Sequence, residues 1–525
     1  MAKPIMIQGT MSGVGKSLIA AGLCRIFKQD GYLVAPFKSQ DMAARSYLTS
    51  DGLEMSVDQA VQAQAAGVIP AAEMNPVLLK PTSDTDAQVF VNGLAYGNMS
   101  AKEYFSYKKS LVPKIQKSYQ KLDAIYDILV IEGAGSPAEI NLRQKDIVNM
   151  GMAEMADAPV LLVGDVDRGG VFAQLLGTLL LLEEQERARV KGLIINRFRG
   201  DKSILQPGIR VLERKSKRPV FGATPYIQID LGEADEKNGC FRSDQVKKNQ
   251  PVVTIAVIRL PRICCLADFQ ILEAQPLIEL KYVLHADELG KPDMIILPGT
   301  KNTMADLKWL RETGLESALL KRHEDGVVIM GICGGYQMLG KSLSDPMFTE
   351  EGGRARGIGI LPVETVFDNM KTRTRVHGTF AKLHGPLGAW SGMPLEGYEI
   401  HTGQTTPVPG LSWIRQDLSA DNRFAELKME HTFCQKKDGW QQDQVYGTYI
   451  HGIFDGEGIV EALICALAAR RGIRMEPVSV KKRREYRETQ FDRLADMLRE
   501  HLDMRAVYRI LERTDEIQSD RGNGT

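Results

Sequence analysis

Residues 4 to 17, "PIMIQGTMSGVGKS", leave a chain few ways to fold. A short apolar run passes into a glycine-rich turn, and the turn passes through lysine and serine into a helix-period pattern. A strand that feeds a helix through such a turn builds a phosphate-binding loop at the edge of a parallel sheet. Small residues let backbone N–H groups curl around phosphate oxygens, and the helix N-terminus adds positive potential. In this reading Thr10, Gly13 and Gly15 line the loop, Lys16 reaches the β- and γ-phosphates, and Ser17 holds magnesium. The usual spacing puts a glycine at position 10; here Thr10 stands there and Gly9 comes one place earlier. The competing reading is a glycine-rich turn ahead of an ordinary helix.

The rest of the chain repeats the alternation that this start imposes. "PIMIQG" (4–9), "YLVAPFK" (32–38), "ILVIEGAG" (128–135), "VLLVGDV" (160–166), "GLIINRF" (192–198) and "VFGATPY" (220–226) have the length and apolar continuity of buried parallel strands. Helical patterns separate several of them, among them 16–29 and 146–156. The polar stretch 232–250 reads as a linker. A second set follows in "VVTIAVIRL" (252–260), "DMIILPGT" (293–300), "VVIMGI" (327–332) and "QVYGTYI" (444–450). Beyond His451 the pattern is helical, with Phe491, Leu494, Met497, Leu498 and Leu502 on one face between 484 and 511. The fold class expected is α/β: two doubly wound, mainly parallel-sheet domains at 1–235 and 251–460, and a helical C-terminal extension at 461–525 whose last ten residues fray.

Composition narrows the partners. Lysine plus arginine and aspartate plus glutamate both number 66, so there is no net field to draw nucleic acid or an anionic membrane. No run approaches the roughly 20 apolar residues of a membrane span. The seven cysteines, with no C-x-x-C spacing, read as reduced thiols of a cytoplasmic protein. A small, locally recognised substrate fits this surface.

Two sets of residues carry chemistry. Around the phosphate loop, Glu132 closes the strand "ILVIE" at the sheet edge where ligands bind and is the candidate second anchor for magnesium. Asp41 and Asp146 are further candidates, with a surface carboxylate or a helix N-cap as the alternative for each. Asn196, at a strand exit, reads a nucleotide base or turns the chain. In the second half, "GICGGYQMLG" places Cys333 between a strand and a helix with glycines on both sides, the layout of a nucleophile elbow. The alternative is a buried structural cysteine. His451, after a strand of the same sheet, is the chosen base, with His401 and His431 as competitors; Gly334 and Gly299 are the candidate oxyanion donors.

The pair "GICGGYQMLG" and "GTYIHGIF" resembles the class I glutamine amidotransferases in their cobalamin-pathway branch. Ile453 stands where most class I members carry a glutamate that orients the histidine; that branch shares the difference, which leaves the third member unassigned. The front half resembles dethiobiotin synthetases, whose phosphate loop has the same shifted glycine. Both halves in this order, with "VAPFKSQDMA", "MNPVLLKP", "VIEGAGSPAEINL", "GDVDRGGVFA", "INRFRGD", "IAVIRLPR", "LPGTKNT" and "GYEIHTG", resemble the cobyric acid synthase family over nearly the whole chain. Departures are Ser39 and Asp41, where that family usually has alanine and asparagine, the cysteine pair Cys264 and Cys265, and a longer segment at 415–443.

The resemblance implies an enzyme that uses ATP, magnesium and glutamine to amidate the b, d, e and g carboxylates of a corrinoid polycarboxylate, adenosylated cobyrinic acid a,c-diamide. It implies that Asp146 helps hold the substrate carboxylate, and that Asn75 and Lys80 contact substrate or nucleotide, turn and surface roles standing beside these. The basic run 481–487 would attract an acidic corrinoid or be a solvated helix face. Two alternatives remain: a cobyrinic acid a,c-diamide synthase, and a partition-type ATPase switch with a non-catalytic glutaminase-like module.

Overall fold

The computed structural model describes residues 1–43, 46–81, 86–227, 229, 251–408, 422–429, 435–475 and 483–512. The expected linker at 232–250, Cys240, His431, Cys434 and the frayed tail lie outside the described residues, as does the start of the basic run at 481–482. The chain packs as two compact units, one of Met1–Cys240 with Arg487–Thr525 and one of Phe241–Tyr486.

The first unit is built on six parallel strands in the order Val220–Pro225, Val190–Phe198, Val160–Asp165, Lys3–Gly9, Ile128–Glu132 and Val34–Phe37. Each apolar run read as a strand is one of these. Alternation along the strands divides the core: Met6, Leu129 and Leu162 face one side, and Ile5, Ile7, Val130 and Leu161 face the other. The second face is covered by the helix Lys16–Gln29 and by two helices from the far end of the chain, Arg483–His501 and Met504–Glu512. Phe491, Leu494, Met497, Leu498 and Leu502 all enter that core. The continuous pattern over 484–511 is therefore broken in fact, because Asp503 N–H turns to bond the carbonyl of Phe221 at 2.7 Å on the sheet edge.

The region read as one extension from 461 is divided between the units. Leu463, Ile464 and Leu467 of the helix Ile459–Arg470 pack into the second unit, whereas the later helices complete the first. The helix expected over 146–156 is shorter, Met150–Met155, because Asp146 accepts from the N–H groups of Val148, Asn149 and Gly151 and holds residues 146–149 as a turn.

The second unit centres on the order Ile278–Val283, Val253–Ile258, Met294–Leu297, Val328–Ile332, Val445–Thr448 and Trp440–Gln442, parallel except for the last strand. A second sheet is dominated by the long antiparallel pair Val363–Phe380 and Pro394–Pro407. The short strand Ile450–His451 joins it through Tyr398 and Glu399, so the histidine sits where the two sheets meet. No helix among the described residues is long and apolar enough to cross a membrane.

Candidate functional site

In the first unit the loop after Lys3–Gly9 has the backbone that glycine permits. Gly13 and Gly15 have φ of 74° and 95°, and a methyl group on Gly15 would lie 2.1 Å from Asn196 Nδ2. Lys16 is buried and donates to the carbonyls of Met11 and Gly135, each at 3.0 Å, which stretches it across the loop mouth. Ser17 Oγ donates to Glu132 Oε1 at 2.8 Å, so the two expected magnesium anchors are together. Thr10 Oγ1 donates to Gln174 at 3.1 Å.

The other sequence candidates around this loop have structural work. Asn196 donates to the carbonyl of Val14 at 2.8 Å and accepts from Thr224 at 2.6 Å, so it braces the loop from behind. Asp41 is not an open metal ligand: it accepts from Lys38 at 3.0 Å, from Ser56 Oγ and from its neighbour's N–H. Asn75 spends both amide protons on the carbonyls of Lys38 and Val77 and accepts from Ser56 N–H, which makes it a backbone brace. Lys80 is paired with Glu54. Asp146 serves the turn already described, and the residue at the N-cap of the helix Met150–Met155 is Asn149.

Lys38 was missed. It leaves the strand Val34–Phe37 at the ligand-binding edge, is 3% exposed, and lies 3.0 Å from both Glu132 and Asp41. Burial works against its charge, and the two carboxylates overcome that and hold the ammonium firmly protonated. Gln62 donates to the remaining oxygen of Glu132 at 2.5 Å. Its position on the sheet edge was the available signal.

In the second unit Cys333 follows the strand Val328–Ile332 and precedes the helix Gly334–Leu339, with φ 54° and ψ −113°. This strained turn stands because its neighbours have no side chains in the way: a methyl on Gly335 would lie 1.8 Å from the carbonyl oxygen of Leu297. Cys333 is 5% exposed, and its Sγ lies 3.4 Å from the carbonyl of Ile400. Gly299 brings the parts together, since a methyl placed on it would sit 3.1 Å from Cys264 Sγ, 3.2 Å from His451 Cε1 and 3.5 Å from Cys333 Cβ. Gly334 packs against Thr300, the next residue of the same loop.

His451 is fixed by a residue that spacing did not reveal. Its Nδ1 lies 2.7 Å from Asp268 Oδ2, and the other oxygen of Asp268 accepts from Gly452 N–H at 3.0 Å. A carboxylate only accepts, so Nδ1 carries the proton and Nε2 is left for proton transfer. Burial opposes a charge on this ring, yet Cys265 and Asp268 beside it hold its pKa well above the usual imidazole range. The ring of Tyr398 stacks on it with centroids 5.2 Å apart. The competitor His401 is spoken for: Nδ1 lies 3.1 Å from the carbonyl of Gly403 and its ring stacks on Tyr449 at 3.7 Å. No group of three or more His, Cys, Asp or Glu among the described residues is arranged to hold a metal.

A parallel sheet with a phosphate loop, joined to a unit with a thiol elbow and a carboxylate-held histidine, defines a nucleotide-binding protein with a glutamine amidotransferase domain. Residues 5–238 match the CobQ/CobB/MinD/ParA nucleotide binding domain, and residues 254–459 match the CobB/CobQ-like glutamine amidotransferase domain. The chain is 53% identical to a cobyric acid synthase of Lachnoclostridium phytofermentans over 98% of this chain and 99% of that protein. It is 49% identical to that of Ruminiclostridium cellulolyticum over 100% of both chains, and 46% identical to that of Alkaliphilus metalliredigens over 97% and 99%. The chain belongs to the cobyric acid synthase family.

Proposed function

We propose that this chain amidates the b, d, e and g carboxylates of adenosylated cobyrinic acid a,c-diamide, with ATP as the activating substrate and glutamine as the nitrogen source. The observation that carries the reading is the Cys333–His451–Asp268 arrangement in a chain that also has the Lys16–Ser17–Glu132 loop. Its family membership supports the corrinoid substrate.

A carboxylate resists ammonia because its carbon is electron-rich and oxide is a poor leaving group. Phosphoryl transfer to it makes an acyl phosphate, which ammonia converts to an amide with loss of phosphate. Lys16, now bonded to two carbonyls, exchanges them for phosphate oxygens. Ser17 and Glu132 offer a hydroxyl and a carboxylate oxygen, donors that suit magnesium, which supplies positive charge to the phosphates when bound. Lys38 offsets the charge of Glu132 and Asp41 so that an anionic substrate is tolerated near them. In the other unit Cys333 attacks the glutamine amide, His451 moves the proton to the departing ammonia, and water then releases glutamate from the thioester. The N–H of Gly334, with one from the Gly299 loop, receives the oxyanion.

Replacing Cys333 by Ala should abolish glutamine-supported amidation and leave ammonium-supported amidation. Replacing Lys16 by Ala should stop both. Mass spectrometry of the corrinoid products, counting new carboxamides, reads each outcome; loss of both activities in Cys333→Ala would contradict the division of labour.

A further inference from the structure

The mechanism above leaves two thiols unused beside the nucleophile. Cys264 Sγ and Cys333 Cβ both approach the same point above Gly299, at 3.1 and 3.5 Å. The approach is held by backbone: Cys264 N–H donates to the carbonyl of Gly299 at 2.9 Å, and Ile263 and Thr300 pair as an antiparallel bridge. Cys265 has a φ of 57°, a left-handed turn that sends the next thiol toward His451. Three thiols and an imidazole therefore share one pocket, and none of the described cysteines is in a disulfide.

We propose that Cys264 is a resolving cysteine: mild oxidation by a peroxide joins it to Cys333 in a reversible disulfide that switches off glutamine hydrolysis and protects the nucleophile. The Cys333 thiolate attacks one oxygen of hydrogen peroxide, forming a sulfenic acid and releasing hydroxide. The sulfur of Cys264 then attacks the sulfenic sulfur, the S–O bond breaks, and the Cys264 proton leaves with the displaced oxygen as water. In sum two thiols lose two electrons and two protons, and one peroxide becomes two waters.

The surroundings favour this order of events. The thiol of Cys265 and burial keep Cys264 protonated, and charge on Cys333 adds to them. Conversion of Cys333 to a neutral sulfenic acid removes its contribution, while those of Cys265, burial and Asp268 remain. Cys333 meanwhile sits beside the base that its ordinary reaction requires, so the residue that reacts first with peroxide is the one catalysis has already activated.

The test uses the full-length protein treated with hydrogen peroxide, digested without reductant and mapped by mass spectrometry. A cross-linked peptide pair containing Cys264 and Cys333 is expected, with loss of glutamate release that dithiothreitol restores. In Cys264→Ser the loss should be irreversible, with Cys333 found as sulfinic acid. A disulfide confined to Cys264 and Cys265, no cross-link at all, or equal recovery in Cys264→Ser would each overturn the proposal. Survival of ammonium-driven amidation in the oxidised protein rests on the functional reading above; the cross-link is measured without it, so the two failures are distinguishable.

Discussion

Asp268 holds His451 from 183 positions earlier in the chain, and both groups are almost fully buried. Asp268→Asn keeps the shape but offers the wrong partner for Nδ1–H, so glutamate release is expected to fall by about 10²- to 10⁴-fold while ammonium-driven amidation persists. The limb of the pH–rate profile that reports the imidazolium should move to lower pH, since a negative neighbour that favours the charged ring has gone. A second buried acid, Asp438, accepts from Thr448 Oγ1 at 2.5 Å, and burial with nearby Glu399 pushes its carboxyl up to about 6. The folded state holds that proton more tightly than the unfolded chain does, so the associated stability is full below about pH 4 and is lost as pH rises through about 6. Asp438→Asn should flatten the fall in unfolding midpoint across that window, as read by urea titration. The thiol was legible because an elbow is a local device of strand, cysteine and glycines. Asp268 and Lys38 were not, since each gains its meaning from a partner brought close only by the fold. Asp41, Asn75 and Asp146 show the converse: polar residues in telling positions whose hydrogen bonds are already taken, those of Asp146 by its own turn and those of Asp41 and Asn75 by Lys38 and Ser56.

At the scale of elements, the elbow and the C-terminal helices carry the clearest consequences. Gly335→Ala drives a methyl into the carbonyl of Leu297, which the rigid strand Met294–Leu297 has no room to yield. A loss of about 3 kcal/mol or more in the amidotransferase unit is expected, seen as an earlier thermal transition together with lost glutaminase activity. Leu498→Ala empties a fully buried site between the helix Arg483–His501 and the helix Lys16–Gln29, with an expected cost of about 2–5 kcal/mol to the nucleotide unit in urea titration. Arg25, bonded to Glu488 at 2.6 Å and Asp492 at 2.8 Å, fixes the same helix pair in register. Strands buried on both faces announce themselves as unbroken apolar runs, which is why all six of the first sheet could be read. The long ribbon Val363–Phe380 could not, because the largely polar run from Asp368 to Arg375 interrupts its apolar alternation and looks like a loop until its partner is known. The break near Asp503 was equally hidden, being decided by a carbonyl on a strand some 280 residues away.

The molecule as a whole has one unit assembled from both ends of the chain and the other contained between them. Composition and alternation make the two sheets readable, but nothing in a helical periodicity says which sheet it will cover. A chain ended after residue 482 should therefore still release glutamate from glutamine yet fail to consume ATP, a pair of assays that tests the assignment of the last helices. This interleaving also sets a timetable for biosynthesis. While the ribosome is still at work the glutaminase half has all its segments, whereas the sheet that handles ATP waits with one greasy face only partly covered, by the helix Lys16–Gln29, until the later helices emerge. A prematurely terminated copy would then be harmless to the cell's ATP pool, and newly made chains should lean on chaperones at that late moment more than at any earlier one.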